Sequence, residues 1–255
     1  MRRGVPPART SWDHLAGWYD GWVGQRGSRY HRGLAVPAAL ELLDPRPGED
    51  ILDVGAGQGV LAEHIAERGA RYTGVDISPR LVSAARRRHG ARGAFIVADA
   101  RRLDTALSPS SFDAAVFLLS LQNMDPLDAV FASIASVLRT RSRVVVVMTH
   151  PCFRQPRHSG WGADEARRLV FRRIDSYLTP MAVPMQPLAR RRPTWSFHRP
   201  LGQYVEGLAA VGFAIDRMRE SADPVADRRG LPSDRVTRRA MGEIPLLLGL
   251  RAVRH

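Results

Sequence analysis

A short apolar run, Ile51 to Val54, leads straight into Asp53-Val54-Gly55-Ala56-Gly57-Gln58-Gly59. Glycines at such a place let the backbone turn tightly, and they let a ligand come closer than any Cβ would allow. A helix starting near Gln58 would present free N–H groups to the same ligand. Two more carboxylates close later apolar runs: Asp76 ends YTGVD (72–76) and Asp99 ends AFIVAD (94–99). An acid ending a second strand can accept both hydroxyls of a ribose. One ending a third strand can accept from an adenine amino group. The alternative is that these are turn glycines and helix-capping aspartates. Their shared position beyond strand ends favours a nucleotide grip. A dinucleotide fingerprint needs a further glycine at position 60. Val60 stands there, which argues against a nicotinamide oxidoreductase.

These residues need a scaffold of strands alternating with helices. VPAALELLD (36–44) has a helical pattern that ends at Pro45 and Pro47. Strands are expected at 51–54, 72–76, 94–99, 112–119 and 143–149. The helices between them span 58–69, Ser78-Pro79 to Arg88, and Asp125-Pro126 to about Arg139. FDAAVFLL (112–119) is almost continuously apolar, as in a parallel strand covered on both faces. Such a succession implies a right-handed, doubly wound sheet. Residues 151–200, rich in proline and scattered aromatics, break the alternation and read as an inserted cap. LGQYVEGLAAVG (201–212) is a helix closed by Gly212. FAIDRMRE (213–220) and PLLLGLRAV (245–253) form an antiparallel hairpin with a long polar connection, no helix-length apolar pattern lying between them. The expected division is an N-terminal cap (1–35), a core (36–150 and 201–255) and the cap at 151–200.

Composition sets the outer limits. The apolar and charged fractions are those of a soluble globular fold, and no apolar run is long enough to cross a bilayer. The N-terminal arginines are followed by no continuous apolar stretch, so no secretory signal and a cytoplasmic location are expected. Cys152 is the sole cysteine, which excludes an internal disulfide or a cysteine-based metal cluster; no metal site is expected, and Cys152 reads as inert. The 38 basic and 25 acidic residues give a net charge of +13, and every basic residue is arginine. That charge admits a polyanion such as RNA as a partner. The arginines are dispersed along the chain, which favours a solvated basic surface.

The pattern Asp-x-Gly-x-Gly-x-Gly at 53–59, VDIS (75–78), ADA (98–100) and FDAAVFLLSLQNM (112–124) together resemble the class I S-adenosylmethionine-dependent methyltransferases, in their small-molecule, ubiquinone-biosynthesis-like branch. The resemblance covers about residues 40–150 and 200–253. It implies a Rossmann-like, seven-stranded, mostly parallel sheet with an antiparallel C-terminal hairpin, here carrying N-terminal and inserted caps. It also implies S-adenosylmethionine as cofactor. Asp53, Gly55, Ala56 and Gly57 would border its methionine and ribose moieties. Asp76 would hold the ribose, Ile77 would pack on adenine, and Asp99 with Ala100 would face the adenine amino group. Leu119, Ser120 and Gln122 would line the methionine side. Tyr30 and His31 are further candidates for the cofactor.

The segment after the fourth strand, Ser120 to Met124, lacks the Asn/Asp-Pro-Pro-aromatic box of amino-directed nucleic-acid enzymes, so a small, hydrophobic or aromatic acceptor is expected. His150, ending the fifth strand, is the first candidate base and His158 the second; His150 equally suits hydrogen bonding at a loop start. Trp18 and Tyr19 would face the sulfonium. Trp161, Trp195, Met181 and Met185 would shape an adaptable pocket under the caps, unless the aromatics only anchor those caps. Two alternatives stay open: an RNA methyltransferase, and a protein that binds the cofactor without methylating.

Overall fold

A computed structural model describes residues 12–13, 16–17, 21, 24, 27–185, 194–223 and 235–254. Its centre is a seven-stranded sheet made by β1 (Asp50–Val54), β2 (Arg71–Asp76), β3 (Gly93–Val97), β4 (Phe112–Leu118), β5 (Leu138–Thr149), β10 (Phe213–Ser221) and β11 (Leu247–Arg254). The strand order is β10-β11-β5-β4-β1-β2-β3. Pairing is parallel from β3 through β5, and β11 runs antiparallel to both β5 and β10. The chain therefore reverses direction across the sheet at β1, between β2 and β4. In such sheets that reversal opens a crevice beyond the carboxyl ends of the strands.

Alternation of side chains along each strand divides the core into two layers. Leu52, Val54, Phe117, Val146 and Met148 point to one face, where Phe131 of α4 (Leu127–Val137) and Tyr204 and Leu208 of α5 (Leu201–Ala210) cover them. Ile51, Val116, Val145 and Val147 point to the other. There they meet Leu42 and Leu43 of α1 (Val36–Leu43) and Ile65 of α2 (Ala62–Ala66). Burial on both faces explains why most of β4 and the second half of β5 (144–148) read as apolar runs. α3 (Pro79–His89) starts as its sequence suggests: Ser78 Oγ accepts the Leu81 N–H at 3.2 Å, with Pro79 at the first helical position.

Two expectations need correction. The helix expected over 58–69 is reduced to α2, because the glycine-rich turn uses up the residues before it. The long connection between the last two strands holds a helix, α6 (Arg235–Glu243). Only Thr237 and Met241 of it are buried, so its apolar stripe is too narrow to show in an arginine-rich sequence. Within residues 151–200 the chain forms two antiparallel strand pairs, β6 (Ser159–Asp164) with β7 (Leu169–Ile174) and β8 (Met181–Met185) with β9 (Thr194–His198). Among the described residues no helix is long and apolar enough to cross a membrane.

Gly207 of α5 lets that helix lie directly on Phe131, since a Cβ there would fall 2.8 Å from the ring. Phe131 is 1% exposed. Phe131→Ala should lower stability by about 3–5 kcal/mol in urea denaturation; a loss below about 1 kcal/mol would mean that this contact does not seat α5.

Candidate active site

The turn after β1 is set by backbone geometry. Gly55, Gly57 and Gly59 have φ of 73°, 57° and 84°, values that side chains with a Cβ resist. At Gly55 a Cβ would also lie 2.6 Å from Ser120 Cβ. The turn is tied to its neighbours on both sides. The Gly55 and Ala56 N–H groups donate to Val75 O at 2.8 and 2.9 Å. Ser120 Oγ donates to Val54 O at 2.6 Å. Gly57 N–H donates to Asp76 Oδ2, and Ser78 N–H to Asp76 Oδ1, both at 2.9 Å. Burial raises the Asp76 carboxyl above its usual range, and these two N–H bonds act against the rise.

Asp53 lies behind the turn and is 2% exposed. Tyr72 Oη donates to its Oδ2 at 2.8 Å, while Oδ1 has no hydrogen-bond partner among the described residues. Burial, with the charge of Asp76 adding to it, pushes the Asp53 carboxyl up to about 7.

A cavity of about 390 Å³ opens over the ends of β1 to β5. Gly55 and Gly57, Asp76 and Ile77, Asp99 and Ala100, and Leu119, Ser120 and Gln122 all line it. Every parallel strand end thus contributes, as the spacing of the motifs implies. Gln122 Nε2 donates to Leu119 O at 3.1 Å, and its buried Oε1 has no partner among the described residues. Asp99 is not alone: Arg101 grips it through a 2.6 Å ion pair, holding its carboxyl below the ordinary range.

Other expected residues stand elsewhere. Asp53 and Ala56 support the turn from outside the cavity lining. Tyr30 also lies outside it, stacked under the Arg29 guanidinium at 4.5 Å. Its neighbour His31 lines the cavity and is 3% exposed. Ser28 Oγ is 2.9 Å from His31 Nδ1, and burial lowers the imidazole to about 4. His150 is not in the lining. Both its ring nitrogens are engaged: Nδ1 accepts the Cys152 N–H at 3.2 Å and Nε2 binds Glu220 Oε1 at 2.8 Å. It is a loop-fixing histidine and not a base facing the cavity. His158, on the β6 hairpin, pairs with Asp175 at 2.8 Å and is half exposed, also outside the lining.

Of the cap residues, Met185 lines the cavity, whereas Trp161, Met181 and Trp195 do not. Trp161 is covered by the guanidinium groups of Arg154 and Arg172, which fixes it within the cap. Met181 and Trp195 sit in the β8–β9 ladder opposite His198 and Pro184. Trp18 and Tyr19 lie outside the described residues. Many other lining residues were not anticipated, among them Arg101, Thr149, Arg154 and Ser196. Arg101 follows Asp99 closely enough to have been suspected. Arg154 is one arginine among many and carries no local signal.

Residues 51–141 match the model of a methyltransferase domain. A solved S-adenosylmethionine dependent methyltransferase from Mesorhizobium loti is 26% identical with a TM-score of 0.71, the match covering 91% of this chain and 100% of that one. The chain carries a class I S-adenosylmethionine-dependent methyltransferase domain. Among curated relatives, a demethylmenaquinone methyltransferase of Tropheryma whipplei is 36% identical over 115 residues, 45% of this chain and 48% of its own length. The nocamycin O-methyltransferase of Saccharothrix syringae is 37% identical over 139 residues, 52% of this chain and 47% of its own length. The chain thus spans about half the length of the curated relatives it matches. The methyltransferase domain's cofactor is S-adenosylmethionine. The site fits that molecule: the turn is free of Cβ atoms where it must approach, a buried carboxylate stands at the next strand end, and Gln122 Oε1 is an unused acceptor in the wall.

Asp53 makes the methyltransferase domain sensitive to pH. Between about pH 4 and pH 7 the folded chain keeps a proton on Asp53 that the unfolded chain has released. The native state then binds more protons, so this residue makes stability fall as pH rises through that window. Asp53→Asn should remove the fall, a difference on the order of a few kcal/mol in urea denaturation at stepped pH. Parallel stability profiles for the two proteins would contradict the assignment.

Proposed function

We propose that this protein transfers a methyl group from S-adenosylmethionine to a small organic acceptor enclosed by its caps. The observation that carries the proposal is the single cavity wall running from Asp99 and Asp76 past the glycine turn to Ser120, Thr149 and Met185. The cofactor, when bound, supplies an electrophilic methyl on sulfur. In this reading Asp76 accepts the ribose hydroxyls, Ile77 packs on the adenine, and the Asp99–Arg101 pair edges the base. Gly55, Gly57 and the segment Leu119 to Gln122 hold the methionine part. The cap residues Pro156, Met185 and Ser196 then close the acceptor end.

The work of the protein is alignment and exclusion of water. Holding two reactants in line can supply roughly 7–11 kcal/mol of a transfer barrier. A proton acceptor adds perhaps 10²–10⁴ in rate where the nucleophile must lose a proton. His31 takes the place expected of His150: it is the imidazole on the cavity wall among the described residues, and at about 4 it stays neutral in ordinary conditions. The demethylmenaquinone and nocamycin relatives support a small acceptor.

An RNA acceptor is less well supported: nothing beyond the net charge of +13 favours it, and several arginines serve ion pairs within the chain. Arg71 and Arg139 hold Asp50, Arg143 holds Glu49, Arg199 holds Asp125 and Arg251 holds Asp216.

Two measurements test the proposal. Incubation with methyl-labelled cofactor and a bacterial extract should place label in the small-molecule fraction; label in RNA, or none at all, contradicts it. In calorimetry, Asp76→Ala should weaken binding of S-adenosylhomocysteine by roughly 1–3 kcal/mol. An unchanged affinity would remove Asp76 from the ribose role.

A further inference from the structure

The cavity wall holds a cation that forms no ion pair with a carboxylate among the described residues. Arg154 follows β5 and lines the cavity. Its Nε donates to Pro245 O at 3.0 Å and its Nη2 to Ile244 O at 3.1 Å, so carbonyls of the turn before β11 hold the guanidinium in place. A second half-buried arginine, Arg172, donates to Phe153 O and to Ser159 Oγ, each at 2.8 Å. The two guanidinium carbons lie 5.2 and 5.5 Å from the same Trp161 ring. Among the described residues no carboxylate forms an ion pair with either. The acid that acts on Arg154 from nearby, Asp223, is held by Arg29 through bonds of 3.0 and 2.5 Å. The other cavity arginine behaves differently, since Arg101 is paired with Asp99. Burial lowers Arg154 to about 10, which still leaves it charged near neutrality.

A half-buried charge without a counter-ion is costly unless something supplies one. Strand order indicates which ligand does so. Neighbouring strands lie about 4.8 Å apart, so β5 stands roughly 14 Å from β2 across β4 and β1. Arg154, tied to the turn before β11, is therefore at the far end of the cavity from Asp76 and Asp99. We infer that Arg154 anchors an anionic group, a carboxylate or phosphate, on the methyl acceptor. The inference rests on the methyl-transfer reading above, and the acceptor it specifies is an acidic small molecule with an apolar or aromatic body.

The test uses calorimetry with a matched pair, 4-hydroxybenzoate and the neutral 4-hydroxybenzamide, on the protein both loaded with S-adenosylhomocysteine and unloaded. The acid should bind the wild type at least about tenfold more tightly than the amide, the ratio that one charge-assisted hydrogen bond gives. In Arg154→Gln that ratio should fall to about one while affinity for S-adenosylhomocysteine stays unchanged. Arg154→Lys should keep much of the preference, which decides the matter if the glutamine variant does not fold. Equal binding of acid and amide, or binding of neither, overturns the inference. A parallel loss of S-adenosylhomocysteine affinity in Arg154→Gln also overturns it, because the arginine would then serve the carboxylate of the donor. Failure of S-adenosylhomocysteine to bind the wild type refutes the methyl-transfer reading instead, and the acid-to-amide ratio on unloaded protein still decides the anion site.

Discussion

The site depends on one piece of backbone, the turn from Val54 to Gln58. It passes through positive φ at Gly55 and Gly57 and presses against Ser120 where no Cβ fits. Its amides bind Val75 O and the Asp76 carboxylate, and its Val54 carbonyl receives Ser120 Oγ. The ends of β1, β2 and β4 are thereby locked in a fixed relation. A ligand meeting those three ends finds a preformed surface, which limits the ordering cost of binding.

Behind the turn, burial sets the electrostatics. Asp53 and Asp76 are both buried, which raises both carboxyls, the charge of Asp76 adding to the rise at Asp53, and Tyr72 holds one oxygen of Asp53. Toward β3 the opposite holds, because Arg101 neutralises Asp99. Toward β5 the surplus charge is positive, at Arg154. The cavity therefore changes character along its length, from Asp76 and the Asp99–Arg101 pair at β2 and β3 to Arg154 after β5. The apolar wall between them includes Met124 and Met185.

The central sheet and the nucleotide end of the site were legible because they follow from local rules. Short continuous apolar runs, glycines after β1 and acids at or just beyond the ends of β2 and β3 are all readable in a single sequence, and the structure has them at these places. The acceptor end was not legible, because it is assembled from segments far apart in the chain. His150 stands at the correct strand end, yet Glu220 and the Cys152 amide turn its ring into the packing, and no local pattern predicts a partner 70 residues away. Tyr30 and His31 are adjacent, and the turn of helix around them decides which faces the cavity. α6 escaped notice because its buried stripe consists of Thr237 and Met241 alone. In the cap, Trp161 has the composition of a pocket residue but is occupied by two arginines.

The most direct measurement is a crystal structure of the protein with S-adenosylhomocysteine. Its ribose should lie against Asp76, its amino-acid end over Gly55 to Gly57 and beside Gln122, and its sulfur should face the cap. Density for the ligand anywhere else, or a cavity left without it at saturating concentration, would contradict the assignment of this strand edge as the methyl-donor site.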